Sequence, residues 1–192
     1  MVFDRRKVVK TSIALFSRKG FMGTSLQEIA DQCGATQSNL IYHYKSKANL
    51  FKETVGYIVQ NNHDIVVRAM RKEDDARTRI EKHFKGNLSW CVAHKDEAQI
   101  VLLLYYFCTF DPVFSEVYQK ILKAAINRLE EYILAGQREG LFSNDIDTRI
   151  AASILQDSLM GALVNVVAHP NPAEASKSLN QKWKVLFQTV LG

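Results

Sequence analysis

Residues 25–44 read SLQEIADQCGATQSNLIYHY, two short amphipathic segments joined by a three-residue turn. Ser25 can cap the first segment as a helix, with Glu28 three residues on as a capping box, and Gly34 can end it. Thr36 can cap the second segment. A small residue in so short a turn lets two helices cross steeply. The pattern therefore predicts a helix-turn-helix.

The rest of the chain is also predicted to be helical. It has no Asn-Gly or Asp-Gly hairpin turn, no sustained alternation of period two and no repeat at a fixed spacing. A first helix should begin near Asp4 and end at Gly20. Six later helices are expected at about 47–70, from Asp75, from Asp96 to 110, at 112–139, at 148–168 and from the Pro172 loop to 191. The sequence thus predicts an all-α fold of about nine helices, with an N-terminal three-helix helix-turn-helix domain and a larger helical domain.

Positive charge is concentrated at the start of the chain. Residues 1–52 carry nine Lys and Arg against three Asp and Glu, a net charge of +6, whereas residues 53–192 carry sixteen against seventeen, a net charge of −1. A basic segment lowers the free energy of approach to a polyanion. Nucleic acid is the partner that this distribution favours.

The cysteines and the apolar runs indicate the compartment. Cys33, Cys91 and Cys108 are odd in number, far apart and inside apolar stretches, which favours reduced thiols over disulfides or a metal cluster. The N-terminus has no apolar segment like that of a signal peptide, and the longest apolar run, residues 100–108, is far shorter than the ~20 residues that span a bilayer. We expect a cytoplasmic protein that uses no cofactor.

The second helix of the motif has a polar face. If it packs inward through Leu40 and Tyr44, a rotation of about 100° per residue turns Ser38 and Tyr42 outward. The polar residues of that face are Gln37, Ser38, Asn39 and Tyr42. Amides, hydroxyls and phenols can read base edges in the major groove. The alternative is the solvated face of a small helical domain, and the charge distribution favours DNA.

A longer stretch, residues 14–51, resembles the DNA-binding domain of TetR-family transcriptional regulators without a gap. It reads ALFSRKGFMGTSLQEIADQCGATQSNLIYHYKSKANLF. The matching landmarks are Phe16, Gly20, Phe21, Thr24, Ile29, Ala30, Gly34, Leu40, Tyr42 to Tyr44, Lys47, Leu50 and Phe51. Two positions depart from the family pattern: Ile41 replaces a tyrosine whose hydroxyl contacts phosphate, and Tyr44 replaces a phenylalanine and so brings a hydroxyl that requires a partner.

The resemblance implies roles for individual residues. Thr24 and Lys47 resemble positions that clamp phosphates on either side of the recognition helix. The residues that resemble groove-facing positions are Thr36, Gln37, Ser38, Asn39, Tyr42 and His43. Phosphate contacts orient the protein, and base contacts select the sequence. Two alternatives stay open, in which Thr24 only caps a helix and His43 only fills the edge of the core.

Beyond about residue 55 the resemblance is one of architecture, and it implies a domain at 1–48 that binds DNA and one at 49–192 that binds an effector and dimerises. Residues 150–167 are apolar on nearly all sides, so this helix needs burial on more than one side. The last helix carries a single apolar stripe. The residues expected at a dimer interface are Leu155, Leu159, Leu163, Trp183 and Leu186. A large single core is the alternative.

The central helices are rich in aromatic residues and poor in charge. Such an interior suits a pocket for a small apolar or aromatic effector, although plain core packing gives the same pattern. The expected ligand-binding residues are Trp90, Cys91, Tyr105, Tyr106, Phe110 and Met160. An effector at Trp90 and Tyr105 could act on the DNA-binding domain through the long helix that begins at Lys47.

Two other classes of function compete with an effector-responsive repressor. A helical di-metal enzyme needs Glu-x-x-His pairs, and none of the five histidines follows a glutamate at that spacing. HExxH, P-loop and nucleophile-elbow motifs are also missing. The sequence therefore does not predict an enzyme. A DNA-binding regulator that answers to a protein partner, or to no effector, stays open.

Overall fold

The computed structural model describes residues 3–192, and in this part of the chain it contains nine helices and no strand. This confirms the all-α prediction. The helices are α1 (Arg5–Lys19), α2 (Leu26–Cys33), α3 (Gln37–Tyr44), α4 (Lys47–Arg68), α5 (Ala76–Ala93), α6 (Lys95–Phe107), α7 (Pro112–Arg138), α8 (Thr148–Ala168) and α9 (Pro172–Leu191).

Local capping defines the helix-turn-helix. The Ser25 hydroxyl accepts a hydrogen bond from the Glu28 backbone N–H at 3.1 Å, and Gly34 ends α2 in the left-handed region at φ +71°. The Thr36 hydroxyl caps α3 in the same way as Ser25 caps α2. The second half of the expected capping box is absent, because the Glu28 carboxylate instead pairs with Lys19 of α1. That pair ties α2 to the helix before it.

One predicted cap is wrong. Asp96 was expected to precede α6, but α6 begins at Lys95, and only His94 separates it from the end of α5 at Ala93. Asp96 therefore lies inside the first turn of α6, where a carboxylate interacts favourably with the helix dipole.

The chain forms two compact units. The first comprises residues up to Asn61 together with Asp96–Tyr118, and the second comprises Asn62–Lys95 and Gln119–Gly192. All three helices of the predicted DNA-binding domain belong to the first unit. The domain boundary at residue 48 stays a prediction.

The first unit has an aromatic core of five phenylalanines. Neighbouring rings lie with their centroids 5.1 to 6.0 Å apart, and most pairs meet edge to face. This phenylalanine core consists of Phe16, Phe21, Phe51, Phe107 and Phe114. Aromatic pairs in such geometries contribute roughly 0.5–1.5 kcal/mol each beyond their buried area. The helix-turn-helix thus shares its core with the end of α6 and the start of α7.

The core of the second unit lies where α5 packs against α8 and α9. The fully buried Phe84 ring of α5 meets the Trp183 ring edge to face at 4.2 Å and the Phe187 ring at 5.0 Å. The Cys91 thiol donates to the Leu163 carbonyl at 3.9 Å. These contacts hold α8 and α9 against α5.

Among the described residues, α8 is the one helix long and apolar enough to cross a membrane by length and composition. Its apolar residues do not form one uninterrupted run, because polar residues such as Arg149 and Asp157 lie among them. Of its most apolar 18 residues, 44% are buried inside the chain. Core helices of soluble proteins have the same properties, so this helix is weak evidence for a membrane.

Candidate nucleic-acid interface

Helix α3 presents a polar surface to solvent. Leu40 and Tyr44 are buried, whereas Gln37, Ser38 and Asn39 are exposed. The Tyr42 ring is 72% exposed, and the Lys45 ammonium lies 5.1 Å from its centroid. Since Thr36 caps the helix, its hydroxyl is bonded to the Asn39 N–H. The exposed face therefore offers two amides, a hydroxyl and a phenol within two helical turns.

His43 is exposed on α3 and is held by a residue that the sequence did not single out. The Phe3 ring stacks on the His43 imidazole, with centroids 3.8 Å apart and planes inclined by 19°. On its other side the imidazole meets the Tyr42 ring edge to face at 5.1 Å. Phe3 precedes α1 and forms no part of the helical pattern, so no periodic signal pointed to it. The stacking fixes the C-terminal turn of α3.

Thr24 lies away from solvent. It is 2% exposed, and its hydroxyl donates to the Gly20 carbonyl at 2.9 Å and lies 3.3 Å from the Leu15 carbonyl. The phosphate-clamping role that the resemblance implies does not fit the Thr24 side chain, because its hydroxyl is already bonded inside the unit. The alternative, a helix cap, does not fit either, because Ser25 caps α2. Thr24 instead fixes the loop between α1 and α2.

Lys47 holds the same loop from the other side. Its ammonium donates to the Phe21 and Thr24 carbonyls, at 2.8 Å each, and lies 4.5 Å from the Phe21 ring centroid. Burial lowers the pKa of Lys47 from its usual value. An ammonium has three N–H donors, so one remains for a phosphate. Lys47 can therefore join the loop, α4 and a DNA strand.

The Tyr44 side chain is buried at the base of α3. Its pKa is raised to about 12, chiefly by burial. The Arg5 guanidinium of α1 lies over the Tyr44 ring, 6.0 Å from the centroid. The guanidinium interacts with the face of the ring. The Tyr44 hydroxyl itself has no hydrogen-bond partner among the described residues, so the partner that the sequence analysis required is not found there.

The residues expected to bind a ligand are divided between the two units. In the second unit Trp90 and Cys91 are buried and Met160 is half-buried, and burial raises the pKa of Cys91 to about 11. In the first unit Tyr106 and Phe110 are 63% and 60% exposed and pack edge to face against each other. The expectation that Tyr106 and Phe110 line an interior is therefore wrong.

Tyr105, the sixth of these residues, is half-buried. Its ring meets the Tyr118 ring edge to face at 4.7 Å.

The residues expected at a dimer interface are mostly inside one protomer. Leu155, Leu159, Leu163 and Trp183 are buried against their own unit, and Leu186 is half-buried. Side chains buried in this way are not presented to a second copy. The large apolar residues of α8 and α9 that face solvent are Ile150, Ile154, Val164 and Val185.

Comparison with known proteins bears on this geometry. Residues 8–54, which contain the helix-turn-helix, match the sequence pattern of the family described as "Bacterial regulatory proteins, tetR family". By sequence, this segment is a TetR-family DNA-binding domain. A curated relative in Escherichia coli K12, described as "Probable acrEF/envCD operon repressor", is 24% identical over 169 residues, which cover 84% of this chain and 74% of the relative.

Solved structures extend the likeness in fold over nearly the whole chain. A TetR transcription regulator from Haloarcula marismortui superposes with a TM-score of 0.86 at 18% identity and 98% coverage of both chains. AibR, solved with isovaleryl coenzyme A and operator DNA, superposes with a TM-score of 0.69 at 17% identity, covering 92% of this chain and 95% of AibR. At these identities the superpositions establish the fold. The match at residues 8–54 supports a DNA-binding transcriptional regulator, and the relatives that this chain resembles are transcriptional regulators.

Proposed function

We propose that this protein is a cytoplasmic, homodimeric repressor that leaves a palindromic operator when a small molecule binds its helical body. The observation that carries the proposal is the exposed polar face of α3. This helix lies within the basic N-terminal segment, residues 1–52. A dimer of helix-turn-helix units presents two recognition helices about one helical turn of DNA apart, ~34 Å. Selection from a random duplex library with purified protein tests this, and a palindromic consensus is the expected result.

The proposed dimer interface is the solvent-facing stripe of α8. Positions 150, 154, 157, 161, 164 and 168 recur at helical spacing and are exposed. Three of them are Ile150, Ile154 and Val164, interrupted by Asp157. At Gly161 a β-carbon would meet no atom within 4 Å, so a second helix has room to approach closely. An apolar stripe with a central glycine is suited to a two-fold helix pair.

The effector is proposed to act through helices common to both units. Helix α4 continues through Asn61 and Asn62, and α7 continues through Tyr118 and Gln119, where the two units divide. A rotation of either helix would therefore move residues of both units. The curated relative is described as a repressor, and AibR was solved with both an acyl coenzyme A and its operator. Both descriptions support this proposal.

Replacing Lys47 by alanine is expected to weaken binding to all duplexes, because a phosphate contact carries no sequence information. The slope of log K against log salt should fall by about one unit. Fluorescence anisotropy with specific and random duplexes at several salt concentrations measures both effects. Lys177→Ala, which removes the same charge from an exposed site on α9, is the matched control and should change neither. An unchanged slope for Lys47→Ala would exclude the phosphate contact.

Replacing Gln37 by alanine is expected to relax preference at one or two base pairs, at a cost of roughly 1–3 kcal/mol on the selected operator. Binding to random duplex should be preserved, since Gln37 is exposed and α3 keeps its Thr36 cap. Anisotropy with single-base operator variants makes the measurement. Equal losses on specific and random duplex would show that Gln37 does not read bases.

Replacing Phe3 by alanine is expected to lower operator affinity by a factor of about 3 to 10, because an aromatic stack of this kind contributes roughly 0.5–1.5 kcal/mol. Phe3→Tyr retains the ring and should restore the affinity. The unfolding temperature should be nearly unchanged, since the Phe3–His43 contact lies at the rim of the unit. If Phe3→Ala binds the operator normally, the stack has no part in DNA recognition.

A further inference from the structure

One face of α5 carries buried polar groups that the core does not use. His83, Asn87 and Trp90 recur at i, i+4 and i+7, so they share this face, and His83 and Trp90 are each 4% exposed. The His83 Nδ1 and the Trp90 Nε1 have no hydrogen-bond partner among the residues that the structure describes. Buried polar groups without a partner are rare in folded proteins because each costs about 1–3 kcal/mol.

The His83 ring is oriented by its own helix. The Asn87 amide nitrogen donates to the His83 carbonyl at 2.8 Å and lies 3.5 Å from Nε2 of the same residue. A donor beside Nε2 favours the tautomer in which Nε2 accepts and Nδ1 carries the proton. The pKa of His83 is lowered to about 3, chiefly by burial, so the ring is neutral at pH 7. His83 and Trp90 thus each offer a buried N–H donor.

The second half of α4 supplies a third donor beside this face. Val66 packs on Gly86, where a β-carbon would lie 3.2 Å from the valine Cγ2, so α4 approaches α5 closely at this point. One turn earlier on α4, the Asn62 amide nitrogen is buried and has no hydrogen-bond partner within residues 3–192. Indole and amide N–H groups accept nothing, so what completes them must be an acceptor.

Positive charge accompanies these donors. The charge is that of Arg128 of α7, which acts to lower the pKa of His83 and that of Tyr132, whose ring lies 6.3 Å from the His83 ring. His63 of α4 also lies near His83, but burial lowers its pKa, so it is mostly neutral at pH 7. Three other charged groups influence the pKa values of these side chains. They are Arg79 and Glu131 near Tyr132, and Asp64 beside His63. Within the described residues no carboxylate lies within 4 Å of the Arg128 guanidinium.

We propose that the α5 face formed by His83, Asn87 and Trp90, with Asn62 and Arg128 beside it, binds the carboxylate of the effector. This rests on the proposed function, in which an effector enters the helical body, and it adds a chemical class. A carboxylate is acceptor-only and can take several N–H donors at once, while Arg128 balances its charge. The apolar remainder of the effector lies against the aromatic rings of the second unit.

The test uses aromatic carboxylates from benzoate to 4-phenylbutyrate and the primary amide of each as its uncharged match. The readout is the indole N–H signal of Trp90 in nitrogen-15 NMR, assigned with Trp90→Phe; the other indole belongs to Trp183. At least one carboxylate should move the Trp90 signal and bind at least about tenfold tighter than its amide, as expected for hydrogen bonds to a charged group. Calorimetry gives the affinities.

Two variants make the test specific. Arg128→Met should reduce carboxylate affinity about tenfold and leave amide affinity unchanged, whereas Arg138→Met, at the exposed end of the same helix, should change neither. Trp90→Phe should weaken the carboxylate while retaining an aromatic ring. Thermal unfolding of each variant verifies the fold.

The inference is overturned if no carboxylate in the series moves the Trp90 signal, if the amides bind as tightly, or if Arg128→Met binds carboxylates normally. Operator binding by the same preparations, without any added compound, separates this failure from that of the proposed function. If the carboxylates leave the Trp90 signal unchanged while the protein still binds its operator, only the carboxylate site is rejected. A protein that binds no duplex rejects the proposed function.

Discussion

The Ile154→Glu variant is expected to remain folded, to lose the dimer and to bind the palindromic operator at least about a hundredfold more weakly. Ile154 is 43% exposed in one protomer, so a glutamate there is tolerated by the monomer. In the proposed α8 interface the same carboxylate would be buried without a partner, which costs several kcal/mol. A monomer holds one half-site only, and most of the operator affinity is lost with the second.

The neighbouring residue provides the matched control. Leu155 is fully buried, so Leu155→Glu should unfold the chain instead of merely dissociating it. Light scattering and circular dichroism distinguish the two results: Ile154→Glu should give the mass of one chain, 21.8 kDa, with full helicity. A folded Ile154→Glu protein that remains dimeric would show that the interface lies elsewhere.

Acid is expected to destabilise this protein through His83. The unfolded histidine has a pKa near 6.5 and the folded one a pKa of about 3, so between these values the unfolded state binds the extra proton. Stability is therefore complete above pH 6.5 and falls as the pH drops towards 3. One pKa unit corresponds to about 1.4 kcal/mol, so the loss between pH 7 and pH 5 is about 2 kcal/mol. Urea unfolding at the two pH values measures it.

Two variants isolate this contribution, because the lowered pKa values of Asp74 and Asp75 also favour the folded state above acid pH. His83→Gln should reduce the difference between pH 7 and pH 5. His169→Gln, which alters an exposed histidine, should leave it as in the unaltered protein. If His83→Gln and the unaltered protein lose equal stability on acidification, His83 is not the group responsible.

Helix positions were predictable from the sequence where their caps are local. Ser25 and Thr36 bond to N–H groups three residues away, so a short window contains the whole signal. The prediction that Asp96 caps α6 was wrong because the start of α6 depends on where α5 ends, which the residues around Asp96 do not determine. The inward and outward faces of α3 followed from a rotation of 100° per residue, since that helix is buried on one side only.

The parts of the site that escaped prediction depend on distant contacts. The Thr24 hydroxyl reaches the Leu15 carbonyl, nine residues earlier, and is thereby withdrawn from DNA. Helix α8 is apolar on nearly all sides, so its sequence could not tell which stripe α5 and α9 cover. Leu155, Leu159 and Leu163 proved to be core, while Ile150, Ile154 and Val164 face outward.

The phenylalanine core limits how this regulator can be engineered. A chimera that joins residues 1–54 to the body of another regulator would carry Phe16, Phe21 and Phe51 but leave Phe107 and Phe114 behind. The foreign α6 and α7 would have to supply rings of the same size at the same two places. Otherwise Phe21 and Phe51 would expose apolar surface that promotes aggregation. Grafting the recognition surface onto a new sensor therefore requires moving a non-contiguous set of residues, with Asp96–Tyr118 accompanying the N-terminal segment.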